Sequence, residues 1–232
     1  VRSRGLGDVY KRQIVNGGAV VVGGLVGMFV GKLLPERLRT SVMAALSLMT
    51  IGIAVPGLLK SNNALIPIIS MVVGTLIGEL LDIDSAVNKL GEKLQKRFSG
   101  SRVTEGFVTG LLVFAVGALA VMGPLESGLQ HQHGLLFSKS VIDGVASIVF
   151  ASTMGLGVAL SGITVFVVEG SIALLASVVA PYLGEAVVNE ITFVGSLLIV
   201  GISLNLLGAT KLRILNMVPA ILLPILLCRF MG

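Results

Sequence analysis

The chain has 232 residues, 54% hydrophobic and 12% charged, with a mean hydropathy of +0.99. Soluble domains clothe their surfaces with about 25% charged residues, so this composition excludes a water-facing shell and leaves lipid as the outer solvent. The formal charge of +5 rests largely on the first thirteen residues, which removes nucleic-acid binding as the reading of the high pI.

In chain order, residues 1–13 carry Arg2, Arg4, Lys11 and Arg12 against Asp8. They lack the apolar stretch of a signal peptide and read as an adaptor-like, non-native extension ahead of one transmembrane helical domain, 14–230. Eight apolar runs follow: Ile14 to Val30, Val42 to Leu59, Ala64 to Leu81, Gly106 to Leu125, Ser140 to Leu160, Ile163 to Leu183, Ile191 to Leu207 and Ile214 to Phe230. About 20 helical residues cross the hydrocarbon layer, and a backbone in lipid must satisfy its amides within its own segment. The expected fold is therefore an all-α integral membrane protein of 7–8 transmembrane helices. The fifth and sixth runs are parted only by Ser161-Gly162, and the last carries Pro219 and Pro224, which leaves its full crossing open.

Basic residues set the orientation. With the N-terminus outside, the inner loops hold Lys32, Arg37, Arg39, Lys89, Lys93, Lys96, Arg97, Arg102, Lys211 and Arg213, while Lys60, Lys139 and Arg229 fall outside along with Glu185 and Glu190. Between the third and fourth runs, residues 82–105 place Val87, Leu90, Leu94 and Phe98 at helical spacing among Lys89, Lys93, Lys96 and Arg97. This is the pattern of an amphipathic helix on an anionic inner leaflet.

Ser47 to Ile53 in the second run echoes Ser196 to Ile202 in the seventh. Asn16-Gly17 and Glu169-Gly170 stand one run ahead of each, and Lys60 with Pro67 and Lys211 with Pro219 follow. Runs one to three then match runs six to eight with two helices between, an inverted-topology 3+3 repeat as in secondary transporters. Chance similarity among apolar segments is the competing reading.

Few residues can carry chemistry. Glu169 sits deep in an apolar run, where a charge costs roughly 2.5–3.5 kcal/mol at the bilayer centre and needs a partner or water. It reads either as an ion-binding carboxylate or as polar glue between helices. Asp143 and Glu105 stand near expected helix starts, where capping and dipole effects compete with a binding role. Glu79 lies beside Asp82 and Asp84, and Asn16 and Asn205 lie in repeat helices. Glu169, Asn16, Asp143, Glu105, Glu79 and Asn205 form the candidate ligand or ion set. Gly23, Gly27 and Gly31, with Gly74 and Gly78, make small-residue faces for close helix packing, inside the bundle or across a homodimer. His131 and His133 make no metal site by themselves, and nucleophile elbows, zinc-protease helices and phosphate loops are missing. No enzyme activity and no cofactor are expected.

Several blocks, in order, resemble the domain of unknown function 554 family: Leu33-Leu34-Pro35-Glu36-Arg37, Gly78 to Ile83, Glu105 to Thr109, Lys139 to Gly144 with Phe150-Ala151-Ser152, Glu169 to Ile172, and Gly201 to Gly208. The resemblance spans Ile14 to Phe230. It implies a multi-pass bacterial inner-membrane protein for which transport is a common guess, and it brings no assigned site residues. The leading expectation is a small-solute or ion transporter or channel, working as a homo-oligomer. Its alternative is a non-transporting assembly or sensor module acting through the basic 82–105 segment.

Overall fold

The computed structural model describes residues 2–33, 35–86, 88–89, 103–115, 120–121, 123–124, 127 and 134–231. Every regular element among them is helical, as the lipid argument requires. The principal helices are α1 (Arg2–Lys32), α2 (Glu36–Leu58), α3 (Leu65–Leu81), α4 (Val103–Ala115), α5 (Gly134–Met154), α6 (Leu156–Leu174), α7 (Ala176–Val179), α8 (Glu185–Leu206), α9 (Ile214–Met217) and α10 (Leu223–Met231).

Five stretches are long and apolar enough to cross a membrane: Ile14–Lys32 within α1, Thr40–Leu58 within α2, α5, α6 and α8. The segment from Ile214 to Met231 qualifies as a sixth, bent by 42° between Ile221 and Leu223. Its break follows from Pro219 and Pro224, which remove backbone donors. α3 and α4 are apolar but shorter. The chain is thus an all-α integral membrane protein, with five or six full-length spans and two shorter apolar helices among the described residues. The helix of α1 extends back to Arg2 rather than starting at Ile14. Lys93, Lys96, Arg97, Arg102, His131 and His133 lie outside the described residues, as does most of the expected amphipathic segment.

The chain divides into two compact units, residues 1–35 with 100–181, and residues 36–99 with 182–232. In the first unit α1 lies between α5 and α6. A methyl group on Gly23, Gly27 or Gly31 would collide with Gly144 and Ser147, Ile148, and Ser152 respectively. Each step of four along α1 is therefore matched by about four along α5, and the two helices run parallel. Against α6 the order reverses, with Gly17 meeting Gly162 and Phe166 and Gly24 meeting Ala159, so α1 and α6 are antiparallel. α4 packs along α6 through Gly106, Gly110 and Gly157. Close backbone approach at small residues is the usual source of attraction between helices in lipid.

The α5–α6 reversal occurs at Gly155, not at the expected Ser161-Gly162. Gly155 has φ +69°, a left-handed conformation in which a Cβ is unfavourable. Ser161 stays helical because its hydroxyl donates to the Val158 carbonyl, and Gly162 stays helical against the Gly17 backbone.

In the second unit α2 packs on α8, with Gly57 fitting against Ser196 and Thr192. α3 runs antiparallel to the final segment, Gly74 meeting Ala220 and Gly78 meeting Asn216. Two asparagines pin this pair from opposite ends. Asn63, just ahead of α3, donates from Nδ2 to the Met231 carbonyl at 3.2 Å. Asn216, in α9, accepts from the Asp84 amide at 2.7 Å. Thr50, Thr192 and Ser203 return their hydroxyls to carbonyls one turn back, which satisfies them without a partner helix.

Candidate functional site

The first unit encloses a polar cluster built from three helices. α1 contributes Asn16, α5 contributes Lys139 and Asp143, and α6 contributes Glu169; all four are buried, with Asn16 and Glu169 at 0% exposure. The Asn16 Nδ2 donates to Glu169 Oε2 at 2.8 Å and reaches Asp143 Oδ2 at 3.4 Å. The Lys139 Nζ pairs with Asp143 one turn along α5 and lies 3.1 Å from Glu169 Oε1. It also donates to the Phe114 carbonyl at 2.6 Å, near the end of α4. One ammonium thus faces two carboxylates and a carbonyl.

Local sequence explains this convergence. Gly17 and Gly162 let α1 and α6 approach closely, which carries Asn16 to Glu169. Gly23 and Gly27 do the same for α1 against α5. Lys139 and Asp143 stand four residues apart, the spacing at which helical side chains meet. Buried opposite charges survive when each is paired and hydrogen-bonded; every charge of the cluster is paired, while Asn16 Oδ1 and Glu169 Oε1 have no hydrogen-bond partner.

Three of the six candidate residues meet here: Asn16, Asp143 and Glu169. Asp143 is no helix cap. α5 begins at Gly134, so Asp143 lies more than two turns inside it. Glu105 sits exposed in the first turn of α4, where a carboxylate complements the helix dipole. It precedes Phe114 by nine residues, about 13 Å of helix, and takes no part in the cluster.

The other two candidates belong to the second unit and are engaged there. Glu79 is exposed and pairs with Arg213 at 2.8 Å. Arg213 also pairs with Asp82 and lies 3.9 Å from Asp84. The Ser85 hydroxyl, followed by the Arg213 guanidinium, holds the Asp82 carboxyl below its usual range. Asn205 ties the turn after α8, accepting from the Leu212 amide and the Thr210 hydroxyl and donating to the Leu212 carbonyl. The acidic trio is therefore an ion-pair network around one arginine, and Asn205 is a turn brace.

Sequence reasoning missed two residues. Lys139 counts as an outer-loop charge when the fifth span starts at Ser140; the structure buries it inside α5. Its spacing from Asp143 is the signal that could have found it. Glu190, also assigned to an outer loop, is buried in α8 and accepts the amides of Asn62 and Asn63 at 3.0 and 3.3 Å. That capping of the α2–α3 turn has no local signature. Among the described residues no group of three metal-ligating side chains forms.

The model of the family described as "Protein of unknown function (DUF554)" matches residues 12–229. The chain is 31% identical over 215 residues to "Uncharacterized membrane protein YdfK" of Bacillus subtilis, covering 91% of this chain and 92% of that protein. It is 26% identical over 216 residues to "Uncharacterized protein YqgA" of Escherichia coli, covering 90% and 92%. No solved structure matches. With a family match spanning nearly the whole chain, the protein belongs to the DUF554 family.

Proposed function

We propose that this protein is a transporter or channel for a small solute or ion in a bacterial cytoplasmic membrane, and that Asn16, Lys139, Asp143 and Glu169 form its working site. One observation carries the reading: three ionisable side chains are buried together inside a helical membrane unit. Each such charge is expensive in lipid, and helices can be glued together far more cheaply by small residues, which this unit already has in abundance. A charged cluster beside ample glycine packing is better explained by work than by cohesion.

The inverted repeat belongs to the same reading. The helices that the echo pairs are in contact within their own units: α1 with α6, α2 with α8, and α3 with the α9–α10 segment. Asn16 and Glu169 correspond in the echo and touch each other. When equivalent residues touch, the two-fold axis relating them passes between them, and transporter repeats place their sites on such axes. The basic loops favour the cytoplasmic side as assigned, and moving Lys139 from the outer face into the helix sharpens that bias. Gly23, Gly27 and Gly31 are occupied within the chain, so a homodimer would use another lipid-facing surface.

The test is flux. Vesicles reconstituted with the wild-type protein should move a member of a broad ion and solute panel, and Glu169→Gln should reduce that flux at least tenfold, the scale of about 1.4 kcal/mol. Equal flux in both would remove the cluster from the mechanism.

A further inference from the structure

Charge balance within the cluster says more than its burial. Asp143 and Glu169 bring two negative charges if both are ionised, and Lys139 brings one positive charge. From Ile14 onward, no other buried ionisable side chain stands among the described residues of α1, α4, α5 and α6. Glu105, the acidic residue of α4, is exposed at that helix's opposite end. Lys139, Asp143 and Glu169 together are one positive charge short of neutral.

We propose that the missing charge is a single exchangeable proton shared between Asp143 and Glu169, with Lys139 as its built-in counter-charge. The inference deepens the transport reading above by naming the proton as the coupling ion. Two features of the geometry favour a proton over a bare metal cation. Glu169 Oε2 already accepts from Asn16 Nδ2, Asp143 Oδ2 accepts from Lys139 Nζ, and Glu169 Oε1 is ion-paired with that ammonium at 3.1 Å, so a metal ion would have to displace those donors before it could coordinate. A proton displaces none of them. It instead adds an O–H donor to a cluster in which Asn16 Oδ1 is buried without a hydrogen-bond partner.

Binding and release balance simply. A carboxylate oxygen gains H⁺ from the aqueous side to become a carboxylic acid. Loss of that H⁺ to the other side restores the carboxylate, with no bond other than O–H made or broken. Lys139 faces both carboxyls and so lies beside whichever of them has lost the proton.

Infrared difference spectroscopy of the full protein in lipid vesicles counts these protons directly. Wild type should show one carboxylic-acid carbonyl band per chain that shifts in D2O and disappears at high pH. Glu169→Gln and Asp143→Asn should each abolish it, because one carboxylate and one ammonium already balance. Lys139→Met should double it, since two unpaired carboxyls must both be protonated. Absence of a band in wild type at every pH would overturn the proposal, as would a band that survives in both carboxylate variants or one insensitive to D2O. The same vesicles separate the two claims. A band with the predicted variant pattern but no flux of any kind would sink the transport reading and keep the proton. Flux without any protonated carboxyl would do the reverse.

Discussion

Asn16 and Glu169 are 153 positions apart, yet their side chains share a 2.8 Å hydrogen bond from which solvent is excluded. The contact joins two antiparallel helices at the one level where both carry a polar residue followed by glycine. An amide donor is the neutral group best suited to that place, because it binds a carboxylate whether or not a neighbouring ammonium is also engaged.

Removing Lys139 should be the most damaging single change in the first unit. Lys139→Ala leaves two buried carboxyl groups without their counter-charge, and breaking a buried ion pair from one side costs about 3–5 kcal/mol. Glu169→Gln keeps the shape and an acceptor for Asn16, and should cost less. Thermal unfolding in detergent, followed by the loss of the monodisperse peak on size exclusion, ranks the two. A smaller loss for Lys139→Ala would contradict the ion-pair geometry.

Helix packing can be tested with two glycines of α1. Gly27→Ala places a methyl group on the Ile148 carbonyl, whereas Gly18→Ala meets nothing within 4 Å. Overpacking costs typically about 1–3 kcal/mol, so Gly27→Ala should lower the melting midpoint by several degrees and Gly18→Ala should leave it in place or raise it. Similar midpoints for both would mean that α1 and α5 are not in such close contact.

In the second unit, Asn216→Ala removes the acceptor of the Asp84 amide and leaves a polar gap at a fully buried position. The expected loss is about 1–3 kcal/mol. Asn63→Ala removes a less buried bond and should cost less. Hydrogen exchange by mass spectrometry should then show faster exchange at the C-terminal end of α3 in the first variant and at the end of α10 in the second.

Asp82 gives a pH signature. Its folded carboxyl is held below the unfolded value by Ser85 and Arg213. Its contribution is therefore present above the unfolded value and is lost as pH falls through the folded one. Melting midpoints of wild type and Asp82→Asn should converge as the buffer is taken from neutral to strongly acidic pH. Because Asp82 has φ +48°, Asp82→Ala should be worse than Asp82→Gly at every pH. Parallel pH curves for wild type and Asp82→Asn would count against the ion-pair network.

Composition and apolar run length were enough to make the helical membrane fold legible, because lipid allows so few alternatives. Glu169 stood out for the same reason, a carboxylate in a long apolar stretch. Lys139 did not, because a lysine at the edge of an apolar run looks like a loop residue until the helix start is known. The turn between α5 and α6 was misplaced for a related reason: Ser161-Gly162 is as good a breaker on paper as Gly155, and only packing against Gly17 keeps it helical. Run length also overstates crossing in places. The last run bends at its prolines.

The joint at Gly155 has a mechanical consequence. Asp143 lies about 18 Å back along one arm from it and Glu169 about 21 Å forward along the other, at 1.5 Å per residue. Two helical arms of nearly equal reach meet at a single residue, and each carries one of the opposed acids. Over arms of that length a few degrees at the joint correspond to about an ångström between the acids, so the left-handed backbone of one glycine sets the level at which they face each other.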